Sequence, residues 1–208
     1  MDARASELSQ QAHQNVATTS SSSSGAGASS MMVEAVKSKI STMEYCVEWP
    51  LQILCDELLH DLLHPRWEIR HGAGVALREV IKLHGSTAGM RLDSDDSVNS
   101  TRHEQWLDDV AIRLICVFAL DRFNDFGGDH TVAPVRETCA QVLGAVGKHM
   151  SEQQLFRVVD ILLVLAQNES WEVRLSGLLG LKYLMAVRQD HAVPLLTKTL
   201  PLITATYA

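Results

Sequence analysis

Residues 67–78, WEIRHGAGVALR, return in recognisable form as WEVRLSGLLGLK at residues 171–182. Tryptophan, glutamate, a β-branched residue and arginine coincide, and small and apolar residues follow in both copies. A third copy, APVRETCAQVLG, starts at Ala133 and places Val135, Arg136 and Leu143 in the same register. Self-similarity of this kind is the sequence signature of a repeat architecture.

The spacing of the copies indicates the kind of repeat. Val135 and Val173 are 38 residues apart, which suits a helix–turn–helix repeat of roughly 40 residues, as in HEAT arrays. The longer step from the first copy to the second is accounted for by a polar insertion and a long helix after it. The sequence therefore predicts an all-α fold, a HEAT-repeat α-solenoid of about three helical hairpins plus one unpaired terminal helix.

Apolar residues at spacings of three and four, which mark one face of an α-helix, give the boundaries. The predicted domain is 49–208, with hairpins at about 50–84, 103–150 and 151–187, a half repeat at 190–206 and an acidic insertion at 85–102. Residues 1–48 are polar and Ser-rich at the start, and we expect a disordered or weakly structured leader. An array that stops on an unpaired helix suggests a piece of something longer or a truncated gene model.

Composition excludes several classes of protein. The net charge of −7 over 208 residues is a poor basis for direct DNA binding, which needs a dense basic surface, but it suits a basic protein partner. Four cysteines without a Cys-x-x-Cys pair indicate buried free thiols in a reducing compartment. No apolar run is long enough for a membrane span, and the N-terminus lacks a secretory signal.

The sequence GAG at residues 72–74 invites an enzyme interpretation, which fails. The third glycine of a dinucleotide pattern is replaced by Leu77, no strand precedes the segment, and it lies inside a helix. His60 and His64 share a helix face, but the residues around them do not complete a metal site. We predict no catalytic residue, cofactor or metal. The glycines instead suggest close approach of a neighbouring helix, so that Gly72→Leu would destabilise the array.

An arginine recurs near the start of each second helix, at Arg70, Arg136 and Arg174. Six residues before each arginine stands a hydrogen-bond acceptor, and these are His64, His130 and Asn168. We predict a ladder in which Arg70 bonds towards the His130 turn and Arg136 towards the Asn168 turn. The alternative is three solvated surface arginines.

Three long segments carry a family likeness: FALDRFNDF, APVRETCAQ and LLGLKYLMAVRQD. With their surroundings they resemble the amino-terminal HEAT region of the TATA-binding-protein-associated factors, the modifier-of-transcription family of Swi/Snf-type ATPases. The likeness covers about residues 49–206. It implies a nuclear scaffold that binds TATA-binding protein and, in the full-length ATPase, helps to remove it from promoter DNA. The motor motifs are absent here, so the resemblance implies no ATPase activity for this chain and only indirect contact with DNA.

In that family the inter-helix loops of the array grip TATA-binding protein, whose surface is basic. The candidate contacts here are acidic turns, which would favour such a partner through charge complementarity. They comprise Asp93, Asp95 and Asp96 in the insertion and Asp125, Phe126 and Asp129 in the turn NDFGGDH. The alternative is a generic HEAT scaffold for another protein partner, and for Asp93–Asp96 also a simple solvated loop.

Overall fold

The computed structural model describes residues 47–121 and 134–206, and the regular structure in these ranges is helical. The α-helices are α1 (Gln52–Asp61), α2 (Trp67–His84), α3 (Asp96–Leu120), α4 (Pro134–Gly147), α5 (Glu152–Leu165), α6 (Trp171–Val187) and α7 (Ala192–Thr206). Short 3₁₀ turns follow α2 and α6, at Gly85–Thr87 and Gln189–His191. The all-α class predicted from the repeats is confirmed.

The helices form two layers. Helices α1, α3 and α5 pack against α2, α4 and α6 respectively, and α2, α4 and α6 pack side by side as an inner layer. Helix α4 lies in the middle of this layer and is buried on almost every side. Helix α7 follows α6 without a second helix of its own among the described residues. This arrangement fits an α-solenoid.

Apolar side chains between the layers hold the hairpins together. Fully buried leucines lie on each of the five helices α2 to α6. They include Leu77, Leu107, Leu114, Leu143, Leu162 and Leu184. Each such side chain contributes about 1.5–3 kcal/mol relative to an exposed position. Helix α5 also carries a capping box, in which Ser151 and Gln154 satisfy each other's backbone amides. The Gln154 side chain then reaches the Glu104 carbonyl at 2.8 Å and joins α5 to α3.

One predicted boundary is wrong. The acidic insertion was expected to extend to residue 102, but α3 begins at Asp96. Asp95 caps the helix, because its side chain accepts a hydrogen bond from the Val98 amide at 2.9 Å. An aspartate at this position satisfies one of the free amides of the first turn, and the acidic Asp96 after it suits the helix dipole. The acidic run is therefore a helix start as well as a loop.

The glycines of α2 also correct the sequence prediction. A Cβ atom at Gly72 would have no neighbour within 4 Å, so no helix approaches that position. Gly74 is the residue at the helix contact, since a Cβ there would lie 2.9 Å from Thr138 Cγ2 of α4. The tightest backbone approach is at Gly177, where a Cβ would lie 2.6 Å from the Ala166 amide nitrogen. The prediction that Gly72→Leu would destabilise the array through a close neighbouring helix is therefore wrong, because that close contact is at Gly74.

Gly72→Ala and Gly177→Ala form a matched pair that tests this packing. We expect Gly72→Ala to raise the free energy of unfolding by up to about 1 kcal/mol, because alanine favours a helix and the site is open. Gly177→Ala should lower it by about 3 kcal/mol, because the added methyl meets backbone that cannot move aside. Urea denaturation measures both changes. Equal effects of the two substitutions would contradict the packing described here.

None of the helices described in residues 47–121 and 134–206 combines the length and the apolar character that crossing a lipid bilayer requires.

Candidate functional site

Arg70 and Arg174 each hold the turn before their own helix through the same pair of hydrogen bonds. Arg70 Nη1 donates to the carbonyl oxygens of His64 and Pro65 at 2.9 and 2.8 Å. Arg174 Nη1 donates to the carbonyl oxygens of Asn168 and Glu169 at 2.9 and 2.7 Å. The repeated sequence thus gives a repeated structure, in which the arginine closes the turn that leads into its own helix.

The acceptors at the start of each turn have a different role from the one predicted. His64 Nδ1 accepts a hydrogen bond from the Arg66 amide at 3.0 Å, and Asn168 Oδ1 accepts one from the Ser170 amide at 2.9 Å. These side chains shape the turn before the helix. The third member of the predicted set, His130, lies outside the described residues.

Arg136 does connect neighbouring repeats, but one helical turn beyond the predicted place. Its side chain is fully buried. Its Nη1 donates to the Glu172 carbonyl and, at 2.9 Å, to Ser176 Oγ. Both acceptors are in the first two turns of α6, whereas the prediction placed them at the Asn168 turn. The burial of Arg70 and Arg136 also excludes the alternative of solvated surface arginines for these two positions.

The carboxylate that links the arginines is Asp121, which the sequence analysis missed. Asp121 follows the last residue of α3 and its side chain is only 3% exposed. Its Oδ1 lies 2.7 Å from Arg70 Nη2 of α2, and its Oδ2 lies 3.5 Å from Arg136 Nε of α4. An acidic residue directly after the apolar run that ends α3, LICVFAL at residues 114–120, is the signal that could have revealed it.

Replacing Asp121 tests this bridge. Asp121→Asn keeps the shape of the side chain but removes the negative charge between two buried guanidinium groups. We expect the free energy of unfolding to fall by about 3–5 kcal/mol, as when one partner of a buried ion pair is removed. The control is Asp109→Asn, whose partner Arg113 lies 2.9 Å away on the exposed face of α3 and whose loss should change little. Thermal or urea unfolding that gave equal shifts would contradict a structural role for Asp121.

A further arginine connects the ends of α6 and α4 at the edge of the stack opposite Asp121. Arg188, the residue after α6, is buried, and its Nη1 donates to the carbonyls of Gly147 and Met150 at 3.2 and 2.9 Å. Its Nε and Nη2 also bond the carboxylate of Asp190. An arginine can satisfy carbonyls that a helix end leaves free. The signal in the sequence was a basic residue directly after an apolar helix.

The first group of candidate partner contacts is largely engaged within the chain. Both carboxylate oxygens of Asp93 accept hydrogen bonds from Arg91, at 2.8 and 2.9 Å. The Asp95 carboxylate is occupied by the cap to Val98 and by Ser97 Oγ at 2.9 Å. The bond from Arg91 lowers the pKa of Asp93, and the bond from the Val98 amide lowers that of Asp95. Asp96 is exposed in the first turn of α3.

The second group, Asp125, Phe126 and Asp129, lies outside the described residues, and its role stays a prediction. The segment that contains it, residues 122–133, starts directly after Asp121 and ends directly before α4. The described residues that flank it are therefore tied together by the Asp121–Arg136 ion pair.

The described residues offer little reactive chemistry. No group of three or more His, Cys, Asp or Glu side chains among them is placed to hold a metal ion. Cys55 and Cys139 are buried free thiols, and burial raises the pKa of each to about 12. Such thiols are not nucleophiles at neutral pH.

Comparison with known proteins identifies the family. No protein-family model matches the chain. The human TATA-binding protein-associated factor 172 is 52% identical over 172 residues, which are 83% of this chain and 9% of the human protein. MOT1 of Saccharomyces cerevisiae, also named a TATA-binding protein-associated factor, is 37% identical over 68% of this chain and 8% of its own length. The corresponding figures for BTAF1 of Arabidopsis thaliana are 45%, 51% and 5%.

The chain thus spans less than a tenth of the length of these relatives. The identity of 52% with the human protein extends over 83% of this chain, and this similarity places the two proteins in one family. The chain belongs to the family of the TATA-binding protein-associated factors 172, Mot1 and BTAF1.

Proposed function

We propose that this chain is a protein-binding scaffold of a nuclear transcription regulator and that its partner is TATA-binding protein. The observation that carries the proposal is the identity of 52% over 83% of the chain with a protein named for its association with TATA-binding protein. Within the longer protein, the scaffold would help an ATPase motor to remove TATA-binding protein from promoter DNA. Promoter DNA itself would be contacted only indirectly.

The stacked helices supply the stiffness that such a role needs. Arg136 joins α4 to α6 and Asp121 joins α3 to α2 and α4, so the turns at this edge of the stack are fixed relative to one another. Binding then costs less ordering of the scaffold than it would in a flexible chain. The edge that carries Asp121 also carries the His64 and Asn168 turns, and we assign partner binding to this edge.

The hydrogen bonds within the first acidic group argue against it as the main contact. Asp93 and Asp95 already serve Arg91 and the cap of α3, so a basic partner would have to compete with existing hydrogen bonds. Of the first group, only Asp96 is exposed and forms no side-chain hydrogen bond or ion pair with the other described residues. We therefore assign the main contact to Asp125, Phe126 and Asp129, with Asp96 as a secondary charge.

Binding to purified TATA-binding protein tests the proposal. We expect Asp125→Asn with Asp129→Asn to weaken the affinity about tenfold, and to reduce its dependence on salt, because charge–charge attraction is screened by ions. The matched control is Asp93→Asn with Asp109→Asn, which removes as many charges from sites that pair within the chain. Circular dichroism verifies that each variant is folded.

Two results would overturn the proposal at different levels. If the folded wild-type chain does not retain TATA-binding protein at low salt, the partner is wrong. If wild type binds and both double variants bind equally well, the partner is right but the acidic turn is not the contact.

A further inference from the structure

Two histidines meet at the edge of the stack opposite Asp121. His149 lies in the turn after α4, and its imidazole is hydrogen-bonded to the backbone of Ile81 in α2. Its Nε2 is buried and has no hydrogen-bond partner among the described residues. The ring of His103, from α3, lies 6.4 Å away at 74° between the ring planes. One small cluster therefore connects α2, α3 and α4.

The cluster also holds the segment that leaves α2, which we call the 85–90 linker. His103 Nδ1 lies 2.8 Å from the Ala88 carbonyl oxygen. His149 Nε2 packs so closely on Gly85 that a Cβ there would lie 2.8 Å from it. Gly85 and Ala88 are buried by these contacts. The 85–90 linker is thus seated on two imidazoles that come from different helices.

Most of the groups that face His149 disfavour a positive charge on it, and the exception is the Ile81 backbone, whose hydrogen bond raises the pKa. His103 faces it from α3 and Lys148 from its own turn, while α2 contributes the Ile81 backbone and Gly85. Arg188, after α6, binds the carbonyls on either side, at Gly147 and Met150. Within the described ranges no carboxylate forms an ion pair with His149. Burial first, and then the proximity of His103, lower the pKa of His149.

We propose that the His103–His149 cluster is an acid-sensitive clasp, in which uptake of a proton by His149 releases the 85–90 linker while the rest of the stack stays folded. A protonated imidazole would carry a second N–H donor at Nε2, buried against Gly85 with no acceptor, beside groups of the same sign. Opening the linker exposes Nε2 to water and relieves both penalties.

The sign of the effect follows from linkage. The closed form of His149 has the lower pKa, so the open form binds the proton more readily. Stability of the clasp is complete above the ordinary histidine pKa of about 6.5 and is lost as the pH falls below it. Between the pKa values of the open and closed forms, the opening constant should rise about tenfold for each pH unit.

Amide hydrogen exchange on the full chain, corrected for the intrinsic rate at each pH, measures the opening constant. Between pH 7.5 and 5.5 we expect the amides of the 85–90 linker to lose protection several-fold, with a slope of at most about tenfold per pH unit for a single proton, and those of α6 to lose none. His149→Gln, whose side-chain amide does not take up a proton in this pH range, should reduce the pH dependence of the linker to less than twofold. His60→Gln, at a histidine whose side chain is 84% exposed, is the matched control and should leave it unchanged.

Titration of the histidine ring protons by NMR gives an independent readout in the unmodified chain. His149 should titrate below the ordinary histidine pKa of about 6.5, because burial disfavours its charged form. The proposal is overturned if His149 titrates at or above the ordinary histidine pKa of about 6.5. It is also overturned if His149→Gln keeps the full pH dependence of linker exchange, or if α6 loses protection in parallel with the linker.

Discussion

The carboxylate of Asp121 between Arg70 and Arg136 is the interaction on which the stack depends. It ends α3, yet its two oxygens face α2 and α4, so a single residue sets the positions of three helices. Two guanidinium groups against one carboxylate leave an excess of positive charge in a buried place. Carbonyl oxygens of His64, Pro65 and Glu172 and the hydroxyl oxygen of Ser176 supply further acceptors. Because His64 and Pro65 belong to the turn before α2 and Glu172 to the start of α6, burying the charges also fixes the starts of these helices.

Charge fixes the ends of the inner helices, and small residues fix their separation. Gly74 faces Thr138 between α2 and α4, and Gly177 faces the α5 backbone at the Leu162 carbonyl and Ala166. Contacts this close leave no room for sliding, since a packed interior resists any change of volume. The Arg188 and His149 contacts at the other edge then fix the tilt of the helices. A scaffold built in this way presents its loops at set distances.

The sequence was sufficient for the architecture but not for the connections within it. Periodicity and the WEIR and WEVR repeats predicted the helical hairpins, because each repeat carries its own local signal. The arginines were recognised as structural, yet their partners were not, because a side-chain contact depends on the rotation of neighbouring helices. Asp121 has no counterpart at the same place in the other repeats, so repeat logic could not find it. Gly72 and Gly74 lie on different faces of α2, and of these two only Gly74 faces a neighbouring helix. Which face points inward depends on how the helix is rotated about its axis, and the sequence alone did not give that rotation.

The acidic residues show why net charge does not translate directly into a binding surface. The chain carries a net charge of −7, and the run at 93–96 looked like the natural place for a basic partner. Folding uses Asp93 to hold Arg91 and Asp95 to start α3, and their lowered pKa values reflect those bonds. A carboxylate that already has a partner offers a second one little, because the new contact must replace the old. The charges available for recognition are therefore those that the fold leaves without a structural task.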